Sequence, residues 1–288
     1  MSTSDQTKVI GGKNFWLYSL DSGYDLTHPP TPSSTPVLPR IPLSTTSGAV
    51  AIDPSKSALV VIDLQNYFLS PALGRPSESV GLEVTGRLLK HAIPACRKAG
   101  MPVVWLCWGL TTDDIGDMPP TIIKGFAADA NFVDGKHIGP LGSDIGSVEL
   151  EDGATVDGGR VLMKDQWNAA LWHQLLDVAE KDDIYVYKNR LSGFWGGTGI
   201  EDVLTSRGIK TLLFAGCQID QCVGGSLQEA YSKGWDCLLL SDGTATRSPA
   251  FAQQDIEYNV AIGWGFVLTC EQFAEGVENM QSRVGPSG

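Results

Sequence analysis

The chain has no window of about 18 consecutive apolar residues, and its first residues show no basic stretch running into an apolar one. Neither a membrane-spanning helix nor a secretory leader is therefore expected. Positive charge is in the minority: 21 Lys and Arg stand against 33 Asp and Glu, a net charge of −12. Nucleic acid and anionic membrane surfaces both need a basic footprint, so neither is expected as a partner. Six cysteines, at 96, 107, 217, 222, 237 and 270, are scattered among apolar segments of a 288-residue chain. They lack the density of a disulfide framework and point to a reducing, cytoplasmic setting. There is no Gly-x-Ser-x-Gly elbow, which removes the usual serine hydrolase. The glycine-rich stretch 193–199 has neither dinucleotide-binding nor P-loop spacing and is better taken as a turn. Cys217 and Cys222 have no second ligand pair, so zinc is not expected there.

Composition is otherwise ordinary for a globular protein, at 42% hydrophobic and 19% charged. Residues 1–55 are rich in Pro, Ser, Thr and Gly. They are expected as an extended arm without a core of its own, anchored to the domain or to a neighbouring subunit by Trp16, Tyr18 and Tyr24, the alternative being a disordered tail. From residue 56 to 288, strands alternate with helices. Ala58–Asp63 is a continuous apolar run ending in an acid, as expected of a strand buried on both faces. A helix over Leu82–Ala99 and a strand over Pro102–Cys107 complete a βαβ unit. Residues 109–164 break the rhythm and are expected as an insertion near the site, either a lid or a subunit contact. A helix over Trp167–Glu180 and strands at 183–188, 211–215, 237–241 and 265–268, with helices between them, follow. This pattern specifies an α/β domain with a mostly parallel sheet.

Ligands of open parallel sheets sit beyond the carboxyl ends of the strands. Asp63 closes the first strand, Lys188 closes the third, and Cys222 follows the turn after the fourth. Singly, each has a plain structural use: a turn cap, a solvated charge, a buried thiol. Together they are a nucleophile with its activators. Cys222 is placed at a helix start, where free N–H groups and Lys188 would push it towards thiolate. Asp63 would take the thiol proton and return it to a leaving amine. Four aromatic residues flank these positions, Tyr67 and Phe68 after Asp63, Phe194 and Trp195 after Lys188. With Gln65 they are candidates for substrate binding, core packing being the alternative for each aromatic ring.

Asp63 in Val-Ile-Asp-Leu-Gln-Asn, Lys188 in Tyr-Lys-Asn-Arg-Leu-Ser-Gly-Phe and Cys222 in Ala-Gly-Cys-Gln-Ile-Asp-Gln-Cys-Val resemble the Asp-Lys-Cys triad of the isochorismatase-like cysteine hydrolases. The resemblance runs from about Ser57 to Val277 and weakens in the insertion. Segments such as Leu191–Trp195, Leu204–Ile209, Ser241–Thr246 and Asn259–Gly265 look most like the ureidoacrylate amidohydrolases. The resemblance implies a three-layer Rossmann-like domain whose six parallel strands run 3-2-1-4-5-6, and assembly as a homodimer or homotetramer. It also implies a cis peptide between Cys217 and Gln218, backbone N–H groups of Gln218 and Cys222 receiving an oxyanion, and a structural Cys217. Gln218, Ile219 and Asp220 depart from the residues usual in that turn. The nicotinamidase branch binds metal through an Asp-x-His pair; none of His28, His91, His137 and His173 has a carboxylate so placed, and no metal or other cofactor is expected. The implied activity is hydrolysis of a small amide, ureido acid or lactam through a thioester. The alternatives are an isochorismatase-type reaction on an enol ether and a catalytically silent binding or assembly protein of the same fold.

Overall fold

The computed structural model describes residues 7–126, 132–133, 136–137 and 139–282. Its first five strands are β1 Lys8–Gly11, β2 Phe15–Ser19, β3 Gly23–Leu26, β4 Ile41–Thr45 and β5 Gly48–Ile52. They form a separate sheet in the order β1-β2-β3-β5-β4. This corrects the expectation of an extended arm without a core. Leu26, Ile41, Leu43, Val50 and Ile52 are buried in one cluster with Phe266, Phe273 and Val277 from the far end of the chain. The sequence signal is weak because these strands are four or five residues long and draw their apolar partners from that distant segment. Pro42 sits in β4, an edge strand, where its missing N–H costs no ladder bond. The sheet is latched to the domain at Asp236, which accepts from Trp16 Nε1 at 2.8 Å and pairs with His28 Nε2 at 2.6 Å.

The central sheet begins with β6 Ser57–Ile62 and β7 Val103–Trp108, joined by helix α1 Asn66–Leu69, α2 Val80–Arg87 and α3 Ile93–Ala99. A widened π turn, Leu88–Ala92, makes α2 and α3 one continuous helical segment, close to the span expected from the sequence. The insertion follows. It contains α4 Thr112–Gly116, α5 Pro120–Gly125, and two short antiparallel pairs, β8 Phe132–Val133 with β9 Lys136–His137 and β10 Ser147–Glu149 with β11 Thr155–Asp157. The long helix expected over 167–180 is replaced by a single 3₁₀ turn, Trp167–Ala169, and the short α6 His173–Leu176. Tertiary pairing interrupts it: the Asn66 N–H donates to Ala170 O at 2.9 Å and the Trp172 N–H to Leu64 O at 2.9 Å, so the chain is extended between the two pieces.

The remaining elements are β12 Ile184–Lys188, α7 Ile200–Ser206, β13 Thr211–Cys217, α8 Gly224–Ser232, β14 Asp236–Ala245, α9 Ala250–Asn259, β15 Phe266–Leu268 and α10 Cys270–Glu278. Six strands pair in the order β12-β7-β6-β13-β14-β15, all parallel. Numbered within the sheet, this is 3-2-1-4-5-6, the order that the resemblance implied. Alternate residues of β6 enter opposite cores: Leu59 and Val61 on the side of α2, α3, α10 and the N-terminal sheet, Ala58, Val60 and Ile62 on the side of α7 and α8. A strand buried on both faces has no polar alternation, and that is why Ala58–Ile62 reads as an unbroken apolar run.

Because Ile52 is fully buried at the junction between the two sheets, Ile52→Ala is expected to cost about 2–5 kcal/mol in urea unfolding. A loosely attached arm would leave the midpoint unchanged.

Candidate active site

Four strand ends meet at the carboxyl edge of the central sheet. Asp63 directly follows β6, Trp108 ends β7, Lys188 ends β12, and the turn after β13 carries Cys222. Asp63 has φ +55°, a left-handed conformation that a non-glycine residue adopts at a cost. Its N–H is held by Leu106 O at 3.0 Å. Gly216, at φ +117°, lies so close to β6 that a Cβ there would meet Ile62 O at 2.0 Å. The position admits glycine alone, and the two central strands touch just before the cysteine turn. That turn has a cis peptide between Cys217 and Gln218, as the resemblance implied. It then enters a π turn, Ile219–Val223, continuous with α8, so Cys222 sits in the first turn of a helical segment.

The three side chains singled out from the sequence come together. Lys188 Nζ is 2.9 Å from Asp63 Oδ2 and 3.4 Å from Cys222 Sγ. It also contacts Arg190 O at 3.3 Å and lies 4.0 Å from the centroid of the Trp108 ring. Asp63 is 0% exposed and Lys188 1%. The Asp63–Lys188 contact is an ion pair rather than an aligned hydrogen bond, and both carboxylate oxygens lack a well-directed hydrogen bond. Burial raises the Asp63 carboxyl above its ordinary value, against the opposing pull of Lys188.

The thiol does not behave as its place at a helix start suggested. Burial, reinforced by the Asp63 charge, pushes Cys222 up to about 12, with Lys188 only partly offsetting them. Desolvation outweighs the neighbouring ammonium and the helix end, since a thiolate here would share its site with a carboxylate. Cys222 thus rests as a neutral thiol beside the Asp63–Lys188 ion pair. Moving the thiol proton onto Asp63 exchanges one ion pair of Lys188 for another, at 3.4 Å in place of 2.9 Å, and leaves the net charge unchanged.

Cys222 opens onto a cavity of about 500 Å³. Tyr67, Phe68 and Gln218 line it as candidate substrate contacts. Gln65, Phe194 and Trp195 do not. Gln65 is fully buried, its amide nitrogen donating to Trp108 O at 2.7 Å and Ala169 O at 2.6 Å while its oxygen accepts from the Trp108 N–H at 3.0 Å. Phe194 is 1% exposed and packs against Phe214 and Trp235 in the core. Trp195 stacks under the Arg190 guanidinium at 4.6 Å, away from the cavity. The unusual turn residues also find their uses. Ile219 is buried, and Asp220 accepts from Thr246 Oγ1 at 2.5 Å and Ser248 Oγ at 2.7 Å, tying the turn to the end of β14. Cys217 is buried and its thiol donates to Asp63 O at 3.1 Å.

Sequence reasoning missed several lining residues: Trp108, Ile122, Phe126, Gln221, Arg75 and Arg247. Trp108 obeys the strand-end rule that marks Asp63 and Lys188, but it lies one residue beyond the strand expected over Pro102–Cys107. Ile122 and Phe126 come from the 109–164 segment. Arg75 and Arg247 lie on loops with no local signal. Arg75 is buried, its Nε donating to Tyr67 O at 2.8 Å and its guanidinium carbon 5.0 Å from the Tyr67 ring centroid. Burial lowers its pKa, Tyr67 opposing and the charge of Arg247 adding to the effect. Among the described residues no group of three or more His, Cys, Asp or Glu is arranged to hold a metal ion.

Two outcomes follow from the electrostatics. Alkylation of Cys222 by iodoacetamide is expected to quicken about tenfold per pH unit from 7 to 10 without levelling, as for a thiol far below its pKa; a plateau near neutrality would show a resting thiolate. Lys188→Met leaves a buried carboxylate unpaired and is expected to cost about 3–5 kcal/mol in chemical unfolding, much of it recovered by adding Asp63→Leu.

Comparison with known proteins agrees with this architecture. A cysteine hydrolase from Pseudomonas syringae pv. phaseolicola 1448A superposes with a TM-score of 0.60 at 18% identity, over 83% of this chain and 98% of that one. An isochorismatase family protein from Desulfovibrio vulgaris subsp. vulgaris str. Hildenborough gives 0.57 at 20%, over 77% and 98%. N-carbamoylsarcosine amidase from Thermoplasma acidophilum gives 0.53 at 21%, over 75% and 97%. At these identities the likeness is one of fold. Residues 57–272 match the model of the isochorismatase domain, three quarters of the chain, and the protein therefore belongs to the isochorismatase family of hydrolases.

Proposed function

We propose that this hydrolase is a cysteine amidohydrolase that cleaves a small amide, ureido acid or lactam through a thioester on Cys222. The observation that carries the reading is the buried cluster of Asp63, Lys188 and Cys222, whose cysteine lines the cavity. Asp63, made more basic by burial, takes the thiol proton as the sulfur attacks the carbonyl carbon. Lys188, already 3.4 Å from the sulfur, pairs with the developing thiolate. The oxyanion is assigned to the backbone N–H groups of Gln218 and Cys222. Protonated Asp63 then gives its proton to the leaving nitrogen, and the C–N bond breaks. Water, deprotonated by Asp63, attacks the thioester, and the acid product leaves as Cys222 regains its proton. Asp63 is again ionised beside Lys188.

The cavity walls narrow the substrate. Tyr67, Phe68, Trp108 and Phe126 make it apolar and suited to a planar group. Arg75 and Arg247 both face it, and among the described residues neither is ion-paired with a carboxylate. Two arginines left together are relieved by an anion. This favours a carboxylate-bearing substrate, a ureido acid above a neutral amide, in keeping with the resemblance of several segments to the ureidoacrylate amidohydrolases. Assembly as a dimer or tetramer and a cytoplasmic setting complete the proposed reading.

Intact-mass spectrometry with a panel of ureido acids, amides and lactams is expected to show an acyl increment on wild type, absent in Cys222→Ala. No increment, with pyruvate released from an enol ether independently of Cys222, would sink the reading; an unreactive Cys222 would favour the silent fold. Arg75→Gln is expected to raise KM for a ureido acid roughly 10- to 100-fold, the worth of one charge-assisted contact, and to leave KM for an uncharged amide nearly unchanged.

A further inference from the structure

Trp108 is held more firmly than a wall residue requires. It ends β7 directly opposite Lys188 of β12, and its ring lies 4.0 Å from the Lys188 ammonium. Phe126 packs edge-on against the same ring at 5.0 Å. Gln65 grips its backbone on both sides, through the N–H at 3.0 Å and the carbonyl at 2.7 Å. The residue is 1% exposed.

Yet its indole N–H is buried without a hydrogen-bond partner. A buried donor left unmade is costly. Two other tryptophans pair theirs: Trp105 Nε1 donates to Asp183 at 2.8 Å and Trp16 Nε1 to Asp236 at 2.8 Å. Trp172 and Trp195 also carry unpaired indole nitrogens, but neither ring lines the catalytic cavity. Trp108 and Cys222 line the same cavity and both touch the Lys188 ammonium, the ring at 4.0 Å and the sulfur at 3.4 Å, so this unpaired donor belongs to the residue packed beside the thiol.

We propose that Trp108 is a second donor to the reacting sulfur: its indole N–H closes onto Cys222 Sγ when the thiol proton has moved to Asp63. The indole keeps its own proton throughout. The electron pair left on sulfur is then shared between two donors, the Lys188 ammonium and the Trp108 N–H. The ring does further service as the face on which that ammonium rests, a favourable contact for a desolvated cation. Gln65 is explained by the same arrangement as the residue that fixes the indole in place. The proposal rests on Cys222 being the nucleophile of the preceding section, but its test needs no substrate.

Iodoacetamide alkylation of Cys222 is followed against pH in wild type, Trp108→Phe and Trp172→Phe, with Cys222→Ala to identify the labelled site. Trp108→Phe keeps an aromatic face under Lys188 and removes the donor. Its alkylation is expected to be about tenfold slower or more at every pH from 7 to 10, a displacement of the curve by at least about one pH unit. Trp172→Phe, which deletes an unpaired indole outside the cavity, is expected to match wild type. Should Trp108→Phe not fold, 3-benzothienylalanine incorporated at position 108 replaces the N–H by sulfur in an isosteric ring, with the same outcome expected. Curves that superimpose on wild type for a folded variant would overturn the proposal. Failure to find an acyl increment with any amide would overturn the amidohydrolase reading and leave this comparison standing.

Discussion

One buried ammonium organises this site. Lys188 is enclosed among Asp63, Cys222 and the face of Trp108, with almost none of its surface in water. A desolvated cation is tolerable only if its neighbours compensate it, and each neighbour here does so differently. Asp63 supplies the charge, Trp108 supplies electron density, and Cys222 is a neutral group able to become a second anion. The same desolvation raises both the carboxyl and the thiol. A proton passing between them therefore moves within a cluster of constant charge.

Backbone geometry serves that arrangement. The left-handed Asp63, the glycine that lets β13 lie against Ile62, and the Gln65 amide that clamps Trp108 all lie within one turn of the strand ends. Gln65 illustrates the difference between proximity and contact. It is two residues from Asp63 and looked like a substrate ligand, yet every polar atom of its side chain is spent on backbone groups. Both Asp63 carboxylate oxygens and the Trp108 indole N–H, by contrast, are buried without a well-directed hydrogen bond.

The segments outside the alternating pattern turn out to be integral. The N-terminal sheet shares its core with Phe266 and Phe273, and Asp236 holds Trp16 and His28 from it. The insertion brings Ile122 and Phe126 to the cavity. Both were hard to read for one physical reason: short strands and single helical turns bury too few residues of their own to show a period, and are stabilised by surfaces contributed from far along the chain.

By itself the sequence determined the α/β architecture, because strands buried on both faces leave continuous apolar runs and strand ends mark the catalytic edge. It also singled out Asp63, Lys188 and Cys222, since an acid, an amine and a thiol at successive strand ends have a shared chemistry. Only the tertiary structure decided that Cys222 rests as a thiol, that Phe194 is core, and that Arg75, Arg247 and Trp108 line the cavity. Burial and the distances between residues far apart in the chain set protonation and direction, and neither quantity exists until the strands have packed.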